Sequence, residues 1–298
     1  MTTSTPPPAA PVTPMATTGS TPHVPAATTA AAVITRQMMG ERRRSAIGYS
    51  IGMALLMLMM VAVYPSIRET GEELDAYMDS MPASMRDAFG LAGDSISSPQ
   101  GYLMSQLYSN MFPIVLLVLG IALAAWTVAG SEAEGTLEML LANPVTRVTA
   151  ATARAVGVWL LVAVVTIVAT AVLAVTSPAV GLDDGLPWWG VWSAGLASYA
   201  LVMFHASIAF AVGAATGRRA WAIGAATVVL VLGFAAQLVG SAATSLTWLR
   251  DLSPWYWLID AAPLTNAPGW LDTGLPVLLA VVLTAVGVML FNRRDLAA

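Results

Sequence analysis

Six long apolar runs constrain this chain more than any other feature of its sequence. Each is 18 to 25 residues long, and none contains Asp, Glu, Lys or Arg. An α-helix rises about 1.5 Å per residue, so a run of this length crosses a hydrocarbon core of about 30 Å. The sequence therefore predicts an all-α membrane protein with six transmembrane helices. We place them at residues 46–64, 105–129, 155–176, 191–215, 220–242 and 274–291.

The composition supports a membrane protein and excludes several kinds of chemistry. Only 10% of the residues are charged and the mean hydropathy is +0.72, whereas about a quarter of a soluble protein is charged. There is no cysteine, which excludes disulfides, thiolate metal sites and thiol catalysis. Without a lysine, the chain cannot supply the phosphate-binding lysine of a nucleotide-binding loop. We predict that the chain is not an enzyme and has no catalytic, cofactor or metal site, so any energy for work comes from another subunit.

The distribution of arginine predicts the orientation in the membrane, because basic residues favour the cytoplasmic side. With the N-terminus inside, the cytoplasmic segments hold 10 of the 13 basic residues. Only Arg68, Arg86 and Arg250 fall outside. Both termini, and the loop between the second and third spans, are therefore predicted to be cytoplasmic.

The N-terminal segment is predicted to contain two parts. Residues 1–32 are rich in Pro, Thr and Ala and carry no charged side chain, so we expect a disordered tail. Residues 33–45 favour an interfacial helix that leads into the first span, with Ile34 and Met38 on one face. Its basic residues suit an anionic leaflet better than nucleic acid: Arg36, Arg42, Arg43 and Arg44.

A short charged stretch, residues 131–147, separates the second and third spans. Its spacing predicts a small amphipathic helix in which Glu134 and Glu138 share one face. A second face carries Leu137, Leu140 and Leu141. Asn143-Pro144 is expected to end the helix, because proline lacks a backbone donor. Such a helix either lies at the interface or docks into a groove on a soluble partner.

Two polar side chains, His205 and Gln237, stand out within the predicted spans. Intramembrane polar groups often mark a transport pathway. A lone histidine is also commonly a neutral group that is hydrogen-bonded within the helix bundle. Both alternatives remain open for His205. Pro113, in the second span, is expected to kink its helix or free a backbone carbonyl.

Residues 131–147 carry a family resemblance. The pattern Glu134-Gly135-Thr136-Leu137-Glu138-x-Leu140-Leu141-x-x-Pro144-Val145-x-Arg147 resembles the loop of ABC-2 type permease subunits, particularly six-span bacterial exporters. Thr146 occupies a position where those proteins often have serine. Leu252-Ser253-Pro254-Trp255-Tyr256 and Arg293-Arg294-Asp295-Leu296 are similar as well, and the likeness covers about residues 33–298.

The resemblance implies a function, partners and site residues. It implies a permease in a bacterial cell membrane that works as a homo- or heterodimer, with ATP and Mg on a separate ABC ATP-binding subunit. The loop would be a coupling helix, with the leucines as an apolar knob, the glutamates paired with the partner, and Arg147 and Arg154 against the leaflet. The implied coupling residues are Glu132, Glu134, Gly135, Thr136, Leu137, Glu138, Leu140, Leu141, Pro144 and Arg147.

The apolar spans favour an apolar or amphipathic cargo such as a drug, antibiotic or lipid-like compound, moved outward. Two alternatives remain. One is a permease of the same family that serves metal-site maturation or sodium export. The other is a membrane scaffold that recruits a soluble partner without transporting anything.

Overall fold

The structure is a computed structural model that describes residues 27–71, 73, 76, 80–82, 95 and 97–294. Six helices within this part of the chain are long and apolar enough to cross a membrane, which confirms the six predicted spans. They are α1 (Ala27–Glu69), α2 (Pro99–Ala133), α4 (Arg147–Thr176), α5 (Gly190–Thr216), α6 (Arg219–Ala242) and α9 (Trp270–Arg293). The shorter helices are α3 (Thr136–Leu141), α7 (Thr247–Asp251) and α8 (Pro254–Asp260).

Helices α2 and α5 form the centre of the bundle. In the most apolar 18-residue stretch of each, 72% of the residues are buried, against 17% to 28% in the corresponding stretches of α1, α6 and α9. Small residues allow the close packing: a Cβ on Gly195 would lie 2.5 Å from Thr170 Oγ1 of α4. The outer helices instead keep apolar faces exposed, as helices that contact lipid do.

The first helix differs from its predicted form. We expected an interfacial helix at residues 33–45 and a separate span at 46–64, whereas α1 runs unbroken from Ala27 to Glu69. Arginine is a good helix former, so the basic residues do not interrupt the helix. Ile34 and Met38 are buried, and Thr35 Oγ1 donates to Ala153 O of α4 at 3.0 Å. Residues 27–32, assigned to the tail, belong to α1, and the rest of the predicted tail lies outside the described residues.

The last span begins earlier than expected, at Trp270 rather than at residue 274. The predicted span stops short of Asp272 because that side chain is charged. Its carboxylate accepts the backbone N–H of Gly269 at 2.8 Å and the hydroxyl of Thr273 at 3.1 Å. A carboxylate in the first turn of a helix satisfies free donors and suits the helix dipole.

Candidate functional site

The loop between α2 and α4 is two short helical pieces rather than one helix. Gly135 has φ +69°, the left-handed region, and separates the end of α2 from α3. Its N–H donates to Glu132 O at 3.0 Å, and Thr136 Oγ1 donates to Ser131 O at 3.1 Å. The expectation that Glu134 and Glu138 share a helical face was therefore wrong, because the helix breaks between them.

Asn143-Pro144 follows the end of α3, as its sequence indicates. Helix α3 ends at Leu141. The side-chain amide of Asn143 donates to Met139 O at 3.1 Å and to Leu140 O at 3.3 Å, so it satisfies carbonyls that the helix end leaves free. Thr146 then caps the start of α4 by accepting the N–H of Thr149.

The leucines of α3 hold the loop against the bundle. Leu137 is only 2% exposed and lies in the main core. Leu140 and Leu141 are half-buried against a small cluster that includes Ile34 of α1. The exposed apolar side chain is Met139, at 66%. The expectation that the three leucines form an outward knob is wrong for Leu137, and it missed Met139. Met139 lies about 200° around α3 from Leu137. This spacing in the sequence places Met139 on the face opposite Leu137.

Two of the three glutamates have partners within the chain. Glu132 forms an ion pair with Arg294, which follows α9. Glu134 Oε1 accepts the indole N–H of Trp126 at 3.0 Å. The third, Glu138, is an exposed carboxylate on α3. All three are predicted from the family resemblance to pair with a partner's basic residues.

The two arginines after the loop also bind within the protein. Arg147 Nη1 donates to Arg294 O at 2.7 Å. Arg294 in turn donates to Ala214 O of α5 at 3.1 Å. Arg154 is 6% exposed, and its Nη1 donates to Thr127 O and to Ser131 Oγ of α2. The loop is thereby fastened to α2, α4, α5 and the end of α9.

The basic residues of α1 divide between two environments. The guanidinium of Arg42 stacks on Trp126, with Cζ 3.4 Å from the ring centroid, a cation–π contact. Arg36, Arg43 and Arg44 are exposed. Arg42 therefore connects α1 to the indole that binds Glu134, a role that its sequence position did not indicate.

Two cavities lie between the first turns of α1 and the loop. One, of about 250 Å³, is lined by polar groups including Gln37, Glu41 and Arg154, with Met139 at its edge. The other, of about 260 Å³, is more apolar and includes Val33 and Pro144. Both are also lined by Ile34, Gln37, Leu140 and Asn143. The exposed surface of α3 is thus flanked by grooves that α1 helps to form.

His205 and Gln237 are both buried, on the adjacent helices α5 and α6. His205 Nδ1 lies 2.9 Å from Leu201 O, one turn back on its own helix. Its ring meets Phe204 edge-on, with centroids 5.0 Å apart. This environment suits a neutral histidine held within the bundle, and a pathway role for either residue stays a prediction.

Six apolar helices, with α2 and α5 buried at their centre, define a multi-pass membrane protein, and a short loop is fixed to one end of the bundle. The sequence matches the family described as ABC-2 family transporter protein over residues 32–296. The chain belongs to this family. The match begins within α1 and extends through the other five spanning helices. No curated protein matches the sequence.

Proposed function

We propose that the chain is the permease subunit of an ATP-driven ABC-2 exporter and that α3 is its coupling helix. Permeases of this family generally work with an ABC ATPase subunit. The loop faces the cytoplasm in this proposal, as the arginine distribution predicts, and the membrane is a bacterial plasma membrane. The working unit contains two permeases, identical or paralogous, and two ATPases, which carry ATP and Mg.

One observation carries the proposal: α3 exposes Glu138 and Met139 while Leu137, on its other face, is buried in the core. Glu132 is paired with the residue that follows α9, Glu134 accepts a hydrogen bond from α2, and Arg154 joins α4 to α2. A segment fixed in this way transmits force, because it cannot move without moving the helices that hold it. An apolar side chain beside a carboxylate, flanked by grooves, is also a typical protein-docking surface.

The cargo in this proposal is an apolar or amphipathic compound that moves outward. The apolar composition of the spans supports this class. The family match favours transport over the scaffold alternative. A scaffold would bind the ATPase without altering its hydrolysis, so the two functions differ in a measurable way.

The test is co-purification with a candidate ATPase, followed by measurement of ATP hydrolysis in membranes. Met139→Asp buries a charge in the proposed interface, and Glu138→Arg reverses the exposed carboxylate. We expect each to weaken assembly by about 30-fold, the loss typical of an interface hot spot. The matched control is Leu252→Asp, since Leu252 is equally exposed, at 64%, but lies in the loop between α7 and α8. Normal assembly and normal hydrolysis in both loop variants would refute the assignment of α3.

A further inference from the structure

Helix α2 contains two π-helical segments, one on each side of a regular helix. The first is Leu103–Met111 and the second is Trp126–Gly130, with the regular part at Phe112–Ala125. A π turn moves an N–H to the carbonyl five residues back and widens the helix, so it persists where other contacts compensate. Such segments are frequent at functional sites.

A distant tryptophan binds a backbone carbonyl of the first π segment. Pro113 has no N–H, so Ser109 O loses the donor that a regular helix would supply four residues later. The indole N–H of Trp255, on α8, donates to Ser109 O at 3.0 Å. Trp255 is 2% exposed, so this bond is shielded from water. The carbonyl freed by Pro113 thus binds a residue of the Leu252–Tyr256 motif.

The second π segment repeats this arrangement with an arginine. The Ser131 N–H donates to Trp126 O, five residues back, instead of to Thr127 O. Thr127 O accepts instead from Arg154 of α4 and from the Ser131 hydroxyl. Gly130 is required here, because a Cβ would lie 2.6 Å from Trp126 Cδ1. Buried side chains from other helices therefore bind a carbonyl in each π segment of α2.

The part of α2 between the π segments is a regular, tightly packed rod. It has 14 residues and is therefore about 21 Å long. It packs closely on α5, since a Cβ on Gly120 would lie 2.7 Å from Val202 Cγ1. Regular hydrogen bonding and dense packing make such a segment move as a unit.

We infer that α2 is a lever with a π-helical hinge at each end, and that Arg154 and Trp255 are the positioning residues of these hinges. A displacement of the loop at residues 131–141 tilts the rod and changes the contact with α8 about 21 Å away. The lever itself is a property of this chain. Its use in transport rests on the function proposed above.

Hydrogen–deuterium exchange on the intact chain in lipid nanodiscs, without an ATPase, tests the lever. Coupling between two sites is reciprocal. Arg154→Met should therefore raise exchange in α8, and Trp255→Phe should raise exchange in α3. We expect about a fivefold increase at the distant site, the factor that corresponds to one lost hydrogen bond.

Two matched controls separate the lever from general loosening of the bundle. Trp257→Phe removes an indole whose N–H donates locally to Asp251 O at 2.7 Å, and it should leave α3 unchanged. Thr166→Val removes a buried hydroxyl of α4 that donates to its own helix, and it should leave α8 unchanged. Arg154→Lys keeps a donor and should give a smaller effect than Arg154→Met.

The lever would be overturned if each substitution changed exchange only in the element that carries it. It would also be overturned if the controls raised exchange at the distant helix equally. If Arg154→Met fails to insert, Arg154→Lys and Trp255→Phe decide the question. Failure of the wild-type chain to bind a candidate ATPase would refute the proposed function but would not affect the exchange result. The two ideas can therefore fail separately.

Discussion

Replacement of Gly135 by alanine tests the geometry of the loop most directly. Gly135 has φ +69°, and a Cβ built on it meets no atom within 4 Å. The added methyl group therefore makes no clash, and the whole cost is that of the left-handed backbone. For an L-residue this cost is about 1–2 kcal/mol. It corresponds to a 5- to 30-fold larger population of the opened loop.

Amide exchange of residues 136–141 in nanodiscs measures that population. We expect 5- to 30-fold faster exchange in Gly135→Ala. Gly135→Asn should give a smaller increase, because asparagine tolerates the left-handed region better. The positional control is Gly185→Ala, where φ is +77° and again no atom lies within 4 Å. This variant carries the same strain in another loop and should leave α3 unaffected.

The opposite sign would refute the reasoning. In a continuous helix, alanine is more favourable than glycine by about 1 kcal/mol. Slower exchange in Gly135→Ala would therefore mean that residues 131–141 form one helix, with Glu134 and Glu138 on a shared face. Gly40→Ala provides a reference for slower exchange in a continuous helix, because Gly40 lies in α1 and a Cβ added there meets no atom within 4 Å.

Three further predictions concern the anchoring of the loop and the cap of α8. Leu137→Ala should lower the stability by about 2–5 kcal/mol, whereas Met139→Ala should change it by less than about 0.5 kcal/mol; thermal unfolding in detergent compares them, and equal losses would contradict the assigned faces. A double-mutant cycle on Glu132→Gln and Arg294→Gln should give a coupling of about 1 kcal/mol that decreases with salt, and additive effects would argue against the ion pair. Ser253→Ala removes the hydroxyl that accepts the first N–H groups of α8 and should cost about 1–2 kcal/mol, with faster exchange in α8 as the local signature.

Much of the fold could be predicted because membrane insertion depends on local properties of the chain. Length and hydropathy alone identify a span, since any segment in hydrocarbon must satisfy its backbone internally as a helix. The family resemblance likewise rested on short contiguous motifs, and the match over residues 32–296 agrees with it. Errors arose at boundaries, as at Asp272, where a charged side chain binds the backbone of its own helix.

The orientation of individual side chains could not be predicted, because it depends on which helices meet. Leu137 and Met139 are both apolar residues of α3, yet only one contacts the core. Arg154 was expected at the leaflet and is buried against α2, because the π segment exposes a carbonyl that a guanidinium can reach. No feature near Arg154 in the sequence specifies that carbonyl.

Six membrane-spanning helices, the family and the position of the loop could be predicted from the sequence, because each depends on residues that are neighbours along the chain. How the loop is fastened, and where α2 departs from a regular helix, follows only from the packing of the helices. Those features depend on pairs such as Trp255 and Ser109, which are 146 residues apart. Pro113 predicts a carbonyl without its helical donor, and only the packing of α8 against α2 shows which side chain binds it.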